Sequence, residues 1–538
     1  MNKFLLLCCL LFSGVSQATE APVICGLVTD LNNNPVESAS VRWQAADIKT
    51  LTDQSGRFCL PKTDALITNS KNITAGKEGY YITGQKIEQT TTQTTITLKP
   101  VPEEDQNNYQ FLSAFRPHQS AKPSHEGENN SCDQCHPEIV TEFKADRHSQ
   151  SAQNELFLKM FNGTGDRQTG FGYKTDFPNS NGNCASCHQP VAAINQPYHT
   201  DPNTVSGVAK EGVNCDFCHK IKNASVDRTG GHPGVLSYQF SRPQTGHQTF
   251  YGPLDDVHPG EDSFHPLYAE SRYCAPCHNG SFWNTLVYSE YQEWENSDYA
   301  RQNITCQKCH MPEQKNMTHF ALAEKGGLKR VPSTLISHKN LGINDVTFMK
   351  DSIALKTTAQ VVDNKLHVSV AITNTKAGHH YPTGNPMRNM LLLVETKDDR
   401  GNVLPLDSGK TLPPWAGQGV REQGNYAGLP GKGFAKILIN ASPYPGRASR
   451  FDFSPITPSP HWRPAYIHED TRIAANMTDV TDYVFDLPHS VSKTQVTVIT
   501  KLIYRRTFKN WQNKLDIDLP DLVLATNSQR LTVNSQQP

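Results

Sequence analysis

Cys132-Asp133-Gln134-Cys135-His136, Cys184-Ala185-Ser186-Cys187-His188, Cys215-Asp216-Phe217-Cys218-His219, Cys274-Ala275-Pro276-Cys277-His278 and Cys306-Gln307-Lys308-Cys309-His310 are five copies of one pattern, Cys-x-x-Cys-His. Together they take ten of the 14 cysteines. Two intervening residues set a pair of thiols about one helical turn apart on one face, with the histidine next along the chain. The first cysteines are separated by 52, 31, 59 and 32 residues. The two short gaps predict that the second and third motifs, and the fourth and fifth, lie as close pairs.

Three chemistries use paired cysteines. A zinc site needs two pairs converging and has no use for a histidine directly after each pair. A dithiol redox centre uses one pair in a βαβ setting. Covalent c-type haem uses each residue: the cysteines add across the two vinyl groups, and the adjacent histidine is the proximal iron ligand. The expectation is five covalently bound c-type haems, with thioethers at Cys132, Cys135, Cys184, Cys187, Cys215, Cys218, Cys274, Cys277, Cys306 and Cys309. The proximal ligands are then His136, His188, His219, His278 and His310. Met311 and Met317 are the only methionines near a motif, so bis-histidine ligation is favoured over His/Met.

The chain has 538 residues, enough for several domains. Lys+Arg number 51 and Asp+Glu 52, which leaves no basic field for nucleic acid or an anionic membrane. Only 36% of residues are hydrophobic. Five porphyrins, with their large apolar faces, account for a core this lean in side chains. Residues 1–18 read as an export signal: Lys3, an apolar run from Phe4 to Phe12, and Ser16-Gln17-Ala18 as a small-x-small cleavage site. The run is too short to span a bilayer, and no transmembrane segment is expected. Beyond the signal, Cys25 and Cys59 are the cysteines outside the motifs, an even pair expected to form a disulfide in an exported protein.

Working outward from the motifs, the texture is strand-like on both sides. Residues 19–100 alternate apolar and polar around the Asn32-Asn33-Asn34-Pro35 turn and the Ser55-Gly56 turn. Residues 101–130 read as a linker. Residues 131–343 carry the motifs among loops and short helices, such as Asn154–Met160 and Tyr288–Tyr299. Residues 344–538 return to strands at 365–372, 389–395 and 494–504. The expected fold is multidomain: an N-terminal β-sandwich, a loop-rich, mainly α haem core, and a C-terminal β-sandwich.

The N-terminal order Gly-x-Val-x-Asp, Pro-Val-x-x-Ala-x-Val, Thr-Asp-x-x-Gly-x-Phe resembles carboxypeptidase regulatory-like domains, small β-sandwiches on secreted proteins. The motif region is similar to the multihaem cytochrome c superfamily that includes tetrahaem electron carriers and hydroxylamine oxidoreductase. The likeness rests on Cys-His-Pro-Glu-Ile-Val-x-x-Phe-x-x-x-x-His148, on His265-Pro-Leu-Tyr-x-x-Ser-x-x-Cys, and on Tyr291-Gln-Glu-Trp-Glu-Asn-Ser-x-Tyr before the fifth motif. Ser337-His338-x-x-Leu-Gly-x-Asn-Asp and Gly378-His379-His380-Tyr-Pro-Thr-Gly look like segments that deliver further ligands. The resemblance thus implies His148, His265, His338 and either His379 or His380 as distal ligands. His232, His247, His258, His199, His125 and His319 compete for the remaining place. Against the nitrite-reducing relatives, no Cys-x-x-Cys-Lys is present; against the hydroxylamine-oxidising ones, five motifs do not make eight.

The function expected from these observations is an exported protein, periplasmic or at the cell surface. It would move electrons along closely spaced haems between redox partner proteins, or to an extracellular acceptor, rather than act as an enzyme. Two alternatives stand beside it. One is a reductase or oxidase of a small nitrogen or sulfur compound at one five-coordinate haem. The other is a polymer-forming extracellular cytochrome whose β domains self-associate.

Overall fold

The computed structural model describes residues 23–62, 70–88, 90–116, 131–165, 170–226, 233–258, 260–440, 458–487 and 493–534. Residues 1–18, expected to be an export signal, part of the expected linker, His125 and His232 lie outside the described residues. The chain is multidomain, with several β-sheets, and divides into two compact units.

The first unit comprises residues 1–101 and Asp255–Phe264. One sheet orders Arg57–Pro61, Val23–Asp30 and Gln93–Leu98; the other orders Lys49–Leu51, Ser40–Trp43, Asn72–Gly76 and Thr83–Lys86. Ile24, Val28, Phe58, Leu60, Ile96 and Leu98 of the first meet Val41, Trp43, Ile73 and Ala75 of the second in one buried cluster. That is the period-two pattern placing alternate residues inward. At the first turn the Asp30 carboxylate accepts the N–H groups of Asn32 and Asn34, at 2.8 and 2.9 Å. Cys25 lies directly opposite Cys59 on neighbouring antiparallel strands, with sulfur joined to sulfur. Asp255–Phe264, from between the third and fourth motifs, belongs to this unit. Asp255 pairs with Arg42 at 3.0 Å, and Asp256 accepts the Ala45 N–H at 2.8 Å.

The second unit carries the motifs and the C-terminal sheets. A four-stranded sheet runs Ile353–Val362, Lys365–Asn374, Thr478–Asp486, Leu406–Gly409. A five-stranded sheet runs Ala465–Asp470, Gly431–Asn440, Asn389–Lys397, Lys493–Arg505, Leu522–Asn534. Asp363 and Asn364 both adopt positive φ, the backbone a tight two-residue hairpin needs between Val362 and Lys365. Leu366, Val368, Val370 and Ile372 face Met390, Leu392, Val394, Val496 and Leu502 across the sandwich.

The five-stranded sheet is buried on its other face too, which explains why Asn389–Val394 is an almost unbroken apolar run. Leu391, Leu393, Ile437 and Ile503 there meet Trp415, Trp462, Trp511, Met160 and Phe171. Met160 belongs to the Glu155–Asn162 helix, whose N-terminus is capped by Asn154 accepting from the Phe157 N–H at 2.9 Å. The C-terminal sheets are therefore packed directly onto the motif-bearing segment. Around the motifs, Ala185, Phe217, Ile221, Val235 and Leu267 share one buried cluster, and smaller ones are formed by Ala114, Val140 and Phe143 and by Ile139, Met317 and Leu335.

Candidate functional site: histidines around five cysteine pairs

Each motif folds as a single helical turn. The N–H of His136, His188 and His219 donates to the carbonyl of Cys132, Cys184 and Cys215, at 2.8, 3.2 and 3.0 Å. Both cysteines of a pair therefore face the same way, and the histidine begins the next turn. All ten thiols are half-buried, and burial pushes those of Cys184 and Cys218 up to about 12.

The histidine rings are oriented from behind. Nδ1 of His136 meets the Phe320 carbonyl at 2.9 Å, that of His219 the Tyr251 carbonyl at 2.6 Å, and that of His310 the Leu341 carbonyl at 2.5 Å. A carbonyl only accepts, so Nδ1 carries the proton and Nε2 keeps the lone pair that binds a metal. His278 Nδ1 instead lies 3.6 Å from the Glu290 carboxylate. Burial pulls His278 down, but Glu290 outweighs it and the net shift is upward. His188 has no well-aligned Nδ1 partner and stacks on Phe157, with ring centres 3.9 Å apart and planes 3° apart. Burial lowers His188 and His310 to about 4, keeping both neutral at pH 7, the form a metal takes.

Two further histidines complete facing pairs. The ring centres of His148 and His278 are 6.3 Å apart, and so are those of His379 and His310. Metal–imidazole bonds are about 2.0–2.1 Å; two of them end to end, with the two ring radii, give on the order of 6 Å. His148 follows the first motif in sequence but stands across from the fourth. Its Nδ1 meets Asp146 at 2.9 Å. His379 Nδ1 meets the His380 carbonyl at 3.0 Å, while the His380 backbone N–H donates to Glu293 at 3.0 Å. Of the two adjacent histidines, His379 is the one that faces a motif.

The other expected ligands fall differently. His338 is driven down to about 4 by burial, with His219 and His136 nearby, and its Nδ1 lies 3.3 Å from the Ile336 carbonyl. His265 is buried, and its Nδ1 accepts the Leu267 N–H at 3.3 Å, capping the Pro266–Ala269 turn. His247 and His199 are exposed, and His258 belongs to the other unit. The sequence reading passed over His461. It is driven down to about 3 by burial, with His188 as the neighbouring charge, and shares a 3.1 Å hydrogen bond with the Tyr288 hydroxyl. Asn385 Nδ2 donates to Tyr288 and to His461 Nδ1, each at 3.3 Å. A lone histidine in a loop, 151 residues beyond the last motif, carries no local signal.

The thiols also record which motifs are neighbours. Cys215 is within hydrogen-bonding reach of Cys132, Cys187 of Cys277, and Cys274 of Cys306. Motifs 1 and 3, 2 and 4, and 4 and 5 are thus side by side. Motifs 2 and 3, 31 residues apart, also meet, through Ala185 and Phe217 in one buried cluster.

Residues 131–220 match the family of cytochrome c554 and c-prime. That stretch holds the first three motifs. A penta-heme cytochrome c552 from Thermochromatium tepidum has a similar structure, with a TM-score of 0.50 and 20% sequence identity, over 74% of this chain and 97% of that one. No curated protein matches the chain. The likeness to that structure is one of fold. Among the described residues no helix is long and apolar enough to cross a membrane.

Proposed function

We propose that the chain is an exported c-type cytochrome. Five covalent haems at the five motifs would pass electrons between redox partner proteins or to an extracellular acceptor. The observation that carries this reading is the facing histidine pairs, His148 with His278 and His379 with His310, both 6.3 Å between ring centres. Two imidazoles on one iron keep it low-spin in both oxidation states, so little rearranges when an electron arrives. The donor set fits haem: paired thiols on one face with an imidazole beside them. The motif adjacency supports a connected path in which motif 4 touches both motif 2 and motif 5. Optical spectra of the purified protein test this: low-spin bands throughout, with little response to carbon monoxide, support the carrier reading.

A second reading attaches to motif 2. Among the described residues no imidazole lies at the ring spacing of the two facing pairs from His136, His188 or His219, and motif 2 is set apart by the histidine beside it. Its neighbour His461 accepts at Nδ1 from Asn385, so Nε2 carries the proton and donates to Tyr288. That is the opposite tautomer from the motif histidines. One full equivalent of high-spin, carbon-monoxide-binding haem in the wild-type protein, lost when Cys184 and Cys187 are both replaced by serine, supports a reductase or oxidase of a small nitrogen or sulfur compound at this position.

A further inference from the structure

The two facing pairs differ in what stands behind each ring. Behind His310 and His379 are neutral carbonyls, those of Leu341 and His380. Behind His148 and His278 are carboxylates, Asp146 at 2.9 Å and Glu290 at 3.6 Å. The Asp146 side chain is 1% exposed and that of Glu290 15%, so water screens neither well. Asp146 Oδ2, the oxygen that meets His148, also accepts from Asn340 Nδ2 at 3.0 Å. Arg147 lies near Asp146 and Arg388 near Glu290.

A carboxylate accepting an Nδ1–H draws that proton toward itself and leaves Nε2 more electron-rich. An electron-rich ligand and nearby buried negative charge both favour the ferric over the ferrous state, because ferric iron carries the extra positive charge. Two such ligands act on the same centre here, and none acts on the other facing pair. We propose that Asp146 and Glu290 give the centre between His148 and His278 the lowest reduction potential in the array. The proposal rests on the reading that these rings hold haem iron. In the step concerned, one electron passes from a reduced redox protein to the ferric centre, which becomes ferrous; no iron–ligand bond forms or breaks, and the Nδ1 protons stay in their hydrogen bonds. Cys277 and Cys274 of this motif adjoin Cys187 and Cys306, so the low-potential centre stands between motifs 2 and 5. Electrons would settle on either side of it first.

The test is an optical redox titration of full-length holoprotein, wild type against Asp146→Asn, Glu290→Gln and the double variant, with Asp146→Glu as the conservative control. The expected result is an upward shift of the lowest of the one-electron transitions in each single variant, a larger shift in the double, and recovery toward wild type in Asp146→Glu. Haem content and the low-spin bands stay unchanged, which separates tuning from loss of structure. A lowest transition that does not move in the double variant overturns the proposal, as does a shift confined to a higher one. A His148→Ala variant in the same series separates the two layers: if it creates no high-spin haem, the ligand reading itself fails.

Discussion

The rings of His310 and His379 lie nearly parallel, 14° apart, with their centres 6.3 Å from each other. His380, the next residue, is held by Glu293 through its backbone N–H. A His379→Ala variant is therefore expected to keep every covalent haem and to gain one high-spin haem that binds carbon monoxide. His380→Ala should leave the spectrum unaltered. The reverse pattern in magnetic circular dichroism or carbon monoxide difference spectra would assign the ligand to His380.

Cys25 and Cys59 are opposite partners on adjacent strands and enclose a separation of 34 residues. A disulfide there should stabilise the N-terminal unit by roughly 3–4 kcal/mol by constraining its unfolded state. The Cys25→Ser, Cys59→Ser double variant is expected to lower the melting transition of that unit while leaving haem content unchanged. Two free thiols in the wild-type protein under non-reducing mapping would contradict the pairing.

Lys436 is buried in the Gly431–Asn440 strand, donating to Ser289 Oγ at 2.6 Å and to the Val287 carbonyl at 3.1 Å. Burial pushes its ammonium down to about 8. An unfolded lysine titrates near about 10.4. Between those values the unfolded chain holds the proton and the folded one has released it, so this group makes stability rise with pH from about 8 to about 10.4. The rise attributable to it is roughly 3 kcal/mol. Lys436→Met should flatten that part of the profile, gaining most over wild type near pH 7 and losing the advantage near pH 10. Parallel stability–pH curves for the two proteins would show that Lys436 is not the group responsible.

Much of this was legible in the sequence because it is written locally. A Cys-x-x-Cys-His turn is complete within five residues, and the alternation in Lys365–Asn374 is a direct image of its two faces. The long-range relations are another matter. His148 follows motif 1 yet stands opposite motif 4, since the Pro137–Ala145 helix carries it away from its own cysteines. The short spacing from Cys184 to Cys215 suggests neighbours, and Ala185 and Phe217 do share a cluster, but the contacts of Cys187 with Cys277 and of Cys215 with Cys132 have no signal in spacing. Asp255–Phe264 reads as an ordinary loop between motifs and instead joins the N-terminal unit through Asp255 and Asp256. His461 was missed because its significance lies wholly in Tyr288 and Asn385, more than 70 residues away in sequence.

Five covalently attached haems can be counted by intact-mass spectrometry of protein matured with the cytochrome c assembly machinery. Five haem increments are expected on a chain that has lost residues 1–18, and one increment fewer for each motif whose two cysteines are replaced by serine. A wild-type mass carrying fewer than five, or a motif whose replacement leaves the mass increment count unchanged, would contradict it.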